Sequence, residues 1–154
     1  MTRNRVPSNL SIAAIDGFSL AASLWNEDSA SPTLVLSGAT GVSRRFYTDF
    51  AAFLAAAGYR VLTFDFRGIG DSRPRSLRGF AASMRNWGEL DLAGVLGWCA
   101  DRHPRAPLLL VGHSAGGQMG AGAGVDRKTA QRASLLACPS HQRSMQSAAN
   151  GWRY

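Results

Sequence analysis

The sequence is poor in cysteine and contains no long apolar run. Its two cysteines, Cys99 and Cys138, are too few for a disulfide framework, and each lies in an apolar segment where a buried, reduced thiol is the ordinary state. No apolar run reaches the roughly 18 residues of a membrane span, and residues 1–10 lack the apolar core of a signal peptide. These absences predict a cytoplasmic protein with no integral membrane segment.

Acidic residues are also few. The chain of 154 residues carries 17 Lys and Arg against 10 Asp and Glu, and no acidic residue follows Asp126. Because the arginines are scattered and form no basic stripe with interleaved aromatics, we expect no nucleic-acid partner. The excess of basic residues instead suggests that an acidic part of the domain is absent from the chain. A content of 45% hydrophobic and 18% charged residues is typical of one globular domain, which we place over residues 1–154.

What the sequence does contain is an alternation of strand and helix patterns. Apolar segments at 10–15 and 18–25 flank Asp16-Gly17, a pair that favours the tight turn of an antiparallel hairpin. Strand patterns follow at 33–36, 59–64, 108–111 and 133–138, and helical patterns lie at 46–57, around 92–99 and at 115–124. This alternation predicts an α/β fold, in which helices cover both faces of a mostly parallel sheet.

The most informative stretch runs from residue 108 to residue 118. Four branched apolar residues are typical of a buried strand, and they lead into Gly112-His113-Ser114-Ala115-Gly116, which fits the pattern Gly-x-Ser-x-Gly. The two glycines allow the strand and the next helix to approach closely, which places Ser114 in a sharp turn. A serine hydroxyl in such a turn can act as a nucleophile, and the Ala115 N–H can stabilise the oxyanion that forms. We predict a packing role for His113.

Several further motifs resemble those of the α/β-hydrolases. They are Gly38-Ala39-Thr40-Gly41-Val42, Arg45-Phe46-Tyr47, Asp65-Phe66-Arg67-Gly68-Ile69-Gly70-Asp71-Ser72 and Met84-Arg85-Asn86-Trp87. Together with the Ser114 stretch, they are similar to predicted bacterial hydrolases of the serine aminopeptidase and monoacylglycerol-lipase type over residues 10–124. The resemblance implies the α/β-hydrolase fold and hydrolysis of a small-molecule ester or amide, with no cofactor and no metal.

The resemblance also implies a second oxyanion donor. The N–H of Ala39 would lie beside that of Ala115, and we favour this role over the alternative that residues 38–41 form no more than a tight turn. For the loop at 65–72 we expect a scaffold role of Asp65 and Arg67, because its aspartates and glycines can satisfy a turn by local hydrogen bonds.

The sequence departs from this family after Ser114. An α/β-hydrolase carries its catalytic acid and then its histidine on loops after later strands. Here Asp126 is expected at the far end of the next helix, His141 comes earlier than a family histidine, and His103 precedes the nucleophile strand. We therefore predict a partial domain that lacks the C-terminal strands and helices and ends in an irregular segment at 139–154.

Two functions from different classes follow from these patterns. The first is a serine hydrolase that is truncated and impaired in this chain. The second is a noncatalytic α/β-hydrolase-like module, or pseudoenzyme, that a partner chain completes. In both cases the strand at 133–138 would present an unpaired edge, through which the protein could self-associate.

Overall fold

The computed structural model describes residues 6–121, 124, 129 and 133–138, and it contains one mixed sheet of six strands. The strands are β1 Ser8–Ala13, β2 Ser19–Trp25, β3 Thr33–Ser37, β4 Arg60–Phe64, β5 Leu108–His113 and β6 Ala133–Cys138. The helices are α1 Thr48–Ala56, α2 Met84–Asn86, α3 Ala93–Arg102 and α4 Ala115–Ala121, with 3-10 turns at Arg44–Tyr47 and Gly70–Ser72 and a π turn at Trp87–Leu92. The predicted strands are confirmed, and so is the α/β fold.

The sheet has the strand order β1-β2-β4-β3-β5-β6. Strands β1 and β2 form the predicted antiparallel hairpin, whose turn places Gly17 at a φ of +84°. Strand β2 also runs antiparallel to β4, and the remaining neighbours are parallel. Because β3, β4, β5 and β6 run in one direction, the loops that follow them emerge at the same end of the sheet. This end holds the segments that begin at Gly38, Asp65 and Ser114.

Helices cover both faces of the sheet, and each face has its own hydrophobic cluster. The larger cluster contains the helical stripe predicted from the sequence, namely Leu92, Val95, Leu96 and Cys99. In the smaller cluster, buried residues of α1 pack against Trp25 and Val61. Strands β3 and β4 are buried along their whole length, which explains their uninterrupted apolar pattern.

The aromatic stripe of α1 and the turn before it faces away from the sheet. Phe46, Phe50 and Phe53 fall at helical spacing and a helix forms, but their exposed fractions are 72%, 47% and 67%. Ala51 and Ala55, both buried, make the contact with the sheet instead. Small side chains on that face allow the helix to lie close to the strands, which leaves the aromatic rings on the outer surface.

A π turn that the sequence did not predict joins α2 to α3. The chain is helical from residue 84 to residue 102, and the π turn occupies Trp87–Leu92 within it. The wider turn brings residues five apart onto one face, so that both Trp87 and Leu92 are buried. It also buries Asp91, which forms an ion pair with Arg67 of the loop after β4.

Candidate active site

Ser114 lies in the predicted turn between a strand and a helix. Strand β5 ends at His113, helix α4 begins at Ala115, and Ser114 has a φ of +53°. This left-handed backbone costs a non-glycine residue roughly 1–2 kcal/mol, so the surrounding structure must hold it in place. The N–H groups of Gly117 and Gln118 donate to the Ser114 carbonyl oxygen at 3.0 and 3.4 Å, which closes the first turn of α4. Ser114 is half-buried and therefore not enclosed in the core.

The two glycines of the Gly-x-Ser-x-Gly pattern allow this turn to form. A Cβ on Gly116 would lie 2.6 Å from the Gly38 carbonyl oxygen and closer still to that of Ser37. A Cβ on Gly112 would lie 2.9 Å from the carbonyl carbon of Gly116 and closer still to Gly117. No larger residue fits at either position without a shift of the backbone. The close approach of strand and helix is the one predicted from the sequence.

The loop after β3 lies next to this turn. Strands β3 and β5 are neighbours, and Ser37 at the end of β3 is paired with Gly112. The N–H of Ala39, which the family resemblance associates with the oxyanion, donates to Oη of Tyr47 at 2.9 Å. The same Oη lies 2.9 Å from Nδ1 of His113. One hydroxyl therefore bridges the loop after β3 and the end of β5.

Neither Tyr47 nor His113, the two side chains in this bridge, was predicted as part of the site. Tyr47 ends the 3-10 turn before α1 and is 9% exposed, and its ring meets the His113 ring edge-on with centroids 5.9 Å apart. His113, for which a packing role was predicted, is exposed at the end of β5 and is not a core residue, and the ring that it contacts is that of Tyr47. The only signal for Tyr47 was its place in Arg45-Phe46-Tyr47, a motif that gives no indication of a contact with residue 113.

Asp65, directly after β4, connects its loop to the turn before α1. Its carboxylate is fully buried, accepts the N–H of Arg44 at 2.6 Å and that of Asp71 at 3.0 Å, and pairs with the Arg44 guanidinium. Asp71 pairs with Arg44 at 2.8 Å and Arg45 at 3.0 Å. Hydrogen bonding to Arg44, and then to Arg45, lowers the pKa of Asp71. These contacts agree with the scaffold role predicted for Asp65, although its arginine partner comes from another element.

Arg67 connects the same loop to two distant turns. Its Nε donates to Asp91 of the π turn at 2.8 Å, and its Nη1 and Nη2 donate to Asp16 of the hairpin turn at 2.8 Å each. Hydrogen bonding to Arg67 lowers the pKa of Asp16, and the same bonds raise the pKa of Arg67. Burial raises the pKa of Asp91, against the opposing effect of Arg67. Arg67 thus has the predicted scaffold role, through long-range partners.

The remaining acid and base candidates do not join Ser114 in the described part of the chain. His103 follows α3 in the loop that leads to the start of β5, at the other end of the strand from Ser114. Asp126 and His141 lie outside the described residues, as does the segment predicted to be irregular at 139–154. Among the described side chains, no group of three or more His, Cys, Asp or Glu could hold a metal ion. None of the helices described here is long and apolar enough to cross a membrane.

Three solved structures illustrate what the chain resembles. It is 23% identical to an esterase from Pyrococcus furiosus, with a TM-score of 0.63, over 78% of this chain and 44% of the esterase. An α/β serine hydrolase without a lid from Xanthomonas campestris is 16% identical, with a TM-score of 0.58, over 95% of this chain and 92% of that one. A bottromycin epimerase is 26% identical, with a TM-score of 0.61, over 84% of this chain and 47% of the epimerase. The chain therefore spans less than half the length of two of these relatives.

Sequence comparison gives the family. No curated protein matches the chain. The family model for serine aminopeptidase S33 matches residues 29–153, which include the loop after β3, the Asp65 loop and the Ser114 turn. The chain belongs to the serine aminopeptidase S33 family and has the α/β-hydrolase fold.

Proposed function

We propose that the protein is a serine hydrolase of ester or amide bonds, with Ser114 as its nucleophile. The observation that carries this proposal is the φ of +53° at Ser114, held between β5 and α4 by two glycines that no larger residue could replace. A strained backbone costs free energy and persists only where the rest of the fold enforces it, and such strain concentrates at functional sites. The turn leaves Ser114 half-buried at the loop end of the sheet.

The proposed reaction begins with attack of the Ser114 Oγ on the carbonyl carbon of the substrate. The Oγ proton passes to a base, and the carbonyl oxygen becomes an oxyanion that the N–H of Ala115 stabilises. The loop after β3, which contains Ala39, faces this oxyanion from the other side of the site. Collapse of this intermediate expels the alcohol or amine and leaves an acyl group on Ser114, which water then removes. In this family the base is a histidine that an acid orients, and we place both outside the described residues.

Similarity to named hydrolases supports a small-molecule ester or amide substrate. The Pyrococcus furiosus protein is an esterase and the Xanthomonas campestris protein is a serine hydrolase, and both are similar to this chain in fold. The fold supports many reactions, so the choice of ester or amide depends on residues around the acyl group. The cytoplasmic location predicted from the sequence stays a prediction, which fractionation of producing cells would check.

Covalent labelling tests the proposal. A fluorophosphonate probe should label the wild-type protein on Ser114, and peptide mapping should locate the adduct there. Ser114→Ala should remove the label, whereas Ser134→Ala, which changes an exposed serine on the neighbouring strand β6, should leave it unchanged. Equal labelling of wild type and Ser114→Ala would contradict the proposal.

The sheet edge at β6 favours a second candidate, a noncatalytic module completed by another chain or a second copy. Strand β6 pairs with β5 on one side, and no strand of the described residues pairs with its other side. An open strand edge offers unpaired N–H and C=O groups to any strand that can reach them. Sedimentation of the purified chain should show association, and a stable monodisperse monomer would count against this candidate.

A further inference from the structure

The bridge between Ala39, Tyr47 and His113 changes what the loop after β3 can offer to a substrate. An N–H group has one proton, and that of Ala39 is directed at the Tyr47 Oη at 2.9 Å. The Tyr47 ring has little freedom to leave, because the residue is 9% exposed and packs in the smaller hydrophobic cluster. A Cβ on Gly38 would lie 3.0 Å from the Tyr47 Cε2, which indicates how closely the ring abuts the loop. The Ala39 N–H is therefore committed to the phenol.

The phenol, in contrast, has a proton of its own to donate. A tyrosine hydroxyl carries two acceptor lone pairs and one proton, and the Ala39 N–H occupies one of those lone pairs. The second contact, at 2.9 Å, is with Nδ1 of His113. If Nδ1 carries a proton, it donates to the second lone pair, and the phenolic proton remains available. Two donations to an oxygen also polarise its O–H bond and make it a stronger donor.

The position of this hydroxyl suits a reacting oxygen at Ser114. It is bonded to the loop after β3 on one side and to the residue that precedes Ser114 on the other. These are the two segments between which an oxyanion at Ser114 would form, because Gly116 brings the start of α4 against the same loop.

We propose that the Tyr47 hydroxyl is an oxyanion donor of this site, polarised by the Ala39 N–H and by the protonated Nδ1 of His113. This inference rests on the proposed function of Ser114. Ala39 then acts on the oxyanion through Tyr47, and His113 is a positioning residue that selects the direction of the phenolic proton. Together with the Ala115 N–H, the Tyr47 hydroxyl completes a pair of donors.

The first test measures the tautomer of His113 and needs no reaction at Ser114. Nitrogen-15 NMR of the labelled chain separates a protonated Nδ1 from a protonated Nε2, and His113→Asn identifies the signal. We expect Nδ1 to carry the proton in the neutral ring of the wild-type protein. A neutral ring protonated on Nε2, with Nδ1 accepting the phenolic proton, would overturn the proposal because no proton would remain for the oxyanion.

The second test measures the rate of fluorophosphonate labelling of Ser114. Loss of one oxyanion donor typically lowers rates by about two to three orders of magnitude, and Tyr47→Phe should slow labelling accordingly. The control is Tyr59→Phe, the same change at a half-buried tyrosine before β4 at the opposite end of the sheet, which should leave the rate unchanged. His113→Ala should slow labelling, and His113→Asn, whose amide can donate from near the Nδ1 position, should restore it.

The outcomes separate the two proposals. Wild-type labelling with an unchanged rate in Tyr47→Phe would overturn the role of Tyr47 and leave the nucleophile intact. Absence of any labelling at Ser114 would contradict the proposed function, and the tautomer of His113 would then decide whether the hydroxyl has a proton to give. Circular dichroism of each variant confirms that a change in rate comes from a folded protein.

Discussion

At the scale of single residues, the Ser114 turn combines strain with close packing. Ser114 occupies a left-handed backbone, and the glycines on either side of it leave no room for a side chain. The hydroxyl is thus held by backbone contacts, whose energetic cost other parts of the fold must offset. Substitutions at these positions can separate the cost of the strain from the cost of a clash.

Replacing Ser114 tests the strain directly. Glycine adopts a positive φ without penalty, so Ser114→Gly should be more stable than Ser114→Ala by about 1 kcal/mol in urea unfolding. The order should reverse at Ser11, an exposed residue of β1, where Ser11→Gly should be less stable than Ser11→Ala. Equal stability of Ser114→Gly and Ser114→Ala would show that the turn stores no strain.

Replacing Gly116 tests the close packing. Its Cβ would overlap the carbonyl oxygens of Ser37 and Gly38, so Gly116→Ala should lower the free energy of unfolding by at least about 2 kcal/mol. At a matched glycine in α3, Gly97, an added Cβ would meet nothing within 4 Å apart from the adjacent residues and backbone of its own helix, and its φ is not positive. Gly97→Ala should therefore stabilise the protein by about 0.5–1 kcal/mol through helix propensity. Two variants of similar stability in the same urea titration would contradict the packing argument.

At the scale of elements, buried ion pairs fix the loops at the site end of the sheet. Asp65 joins the loop after β4 to the turn before α1, and Arg67 joins the same loop to the π turn and the hairpin. Burial of these groups requires that each charge keeps its partner, since an unpaired buried charge is costly. The loop after β4, the turn before α1, the π turn and the hairpin turn are therefore held as one unit.

Removal of one charged residue from this network should strongly lower the free energy of unfolding. Asp65→Ala leaves the Arg44 guanidinium, 8% exposed, with the partly exposed Asp71 and the neutral Ser23 hydroxyl as its described partners, and should cost about 3 kcal/mol of stability. Breaking the exposed Arg85–Glu89 pair by Glu89→Ala should cost no more than about 0.5 kcal/mol. Urea unfolding measures both losses of stability. A loss for Asp65→Ala as small as that for Glu89→Ala would mean that the buried network does not stabilise the fold.

At the scale of the whole molecule, two hydrophobic clusters on opposite faces of one sheet hold the described elements together. Cys99 belongs to the larger cluster and is 2% exposed. Burial raises the pKa of its thiol to about 12, so that almost no thiolate is present near neutral pH. The reactivity of Cys99 therefore reports on the integrity of the cluster.

A thiol reagent can make this measurement. In a Cys138→Ser variant, which leaves Cys99 as the only cysteine, an aromatic disulfide reagent at pH 8 should react slowly with the native protein and quickly after unfolding in urea. A native rate close to that of the unfolded protein would show that the cluster opens readily, as expected if the described elements need a further chain for stability.

The local sequence determined the strands, the helical segments and the Ser114 turn, but not the π turn within the second helical segment. Apolar periodicity is a property of adjacent residues, and Gly-x-Ser-x-Gly between a strand and a helix specifies its own geometry, because only glycine permits the close approach. Only the tertiary structure decided that Ala51 and Ala55 rather than the α1 aromatics face the sheet, and that Asp65 pairs with Arg44. It likewise brought Tyr47 to Ala39 and His113, since a contact between residues 66 positions apart depends on how β3 and β5 pair, which no local pattern records.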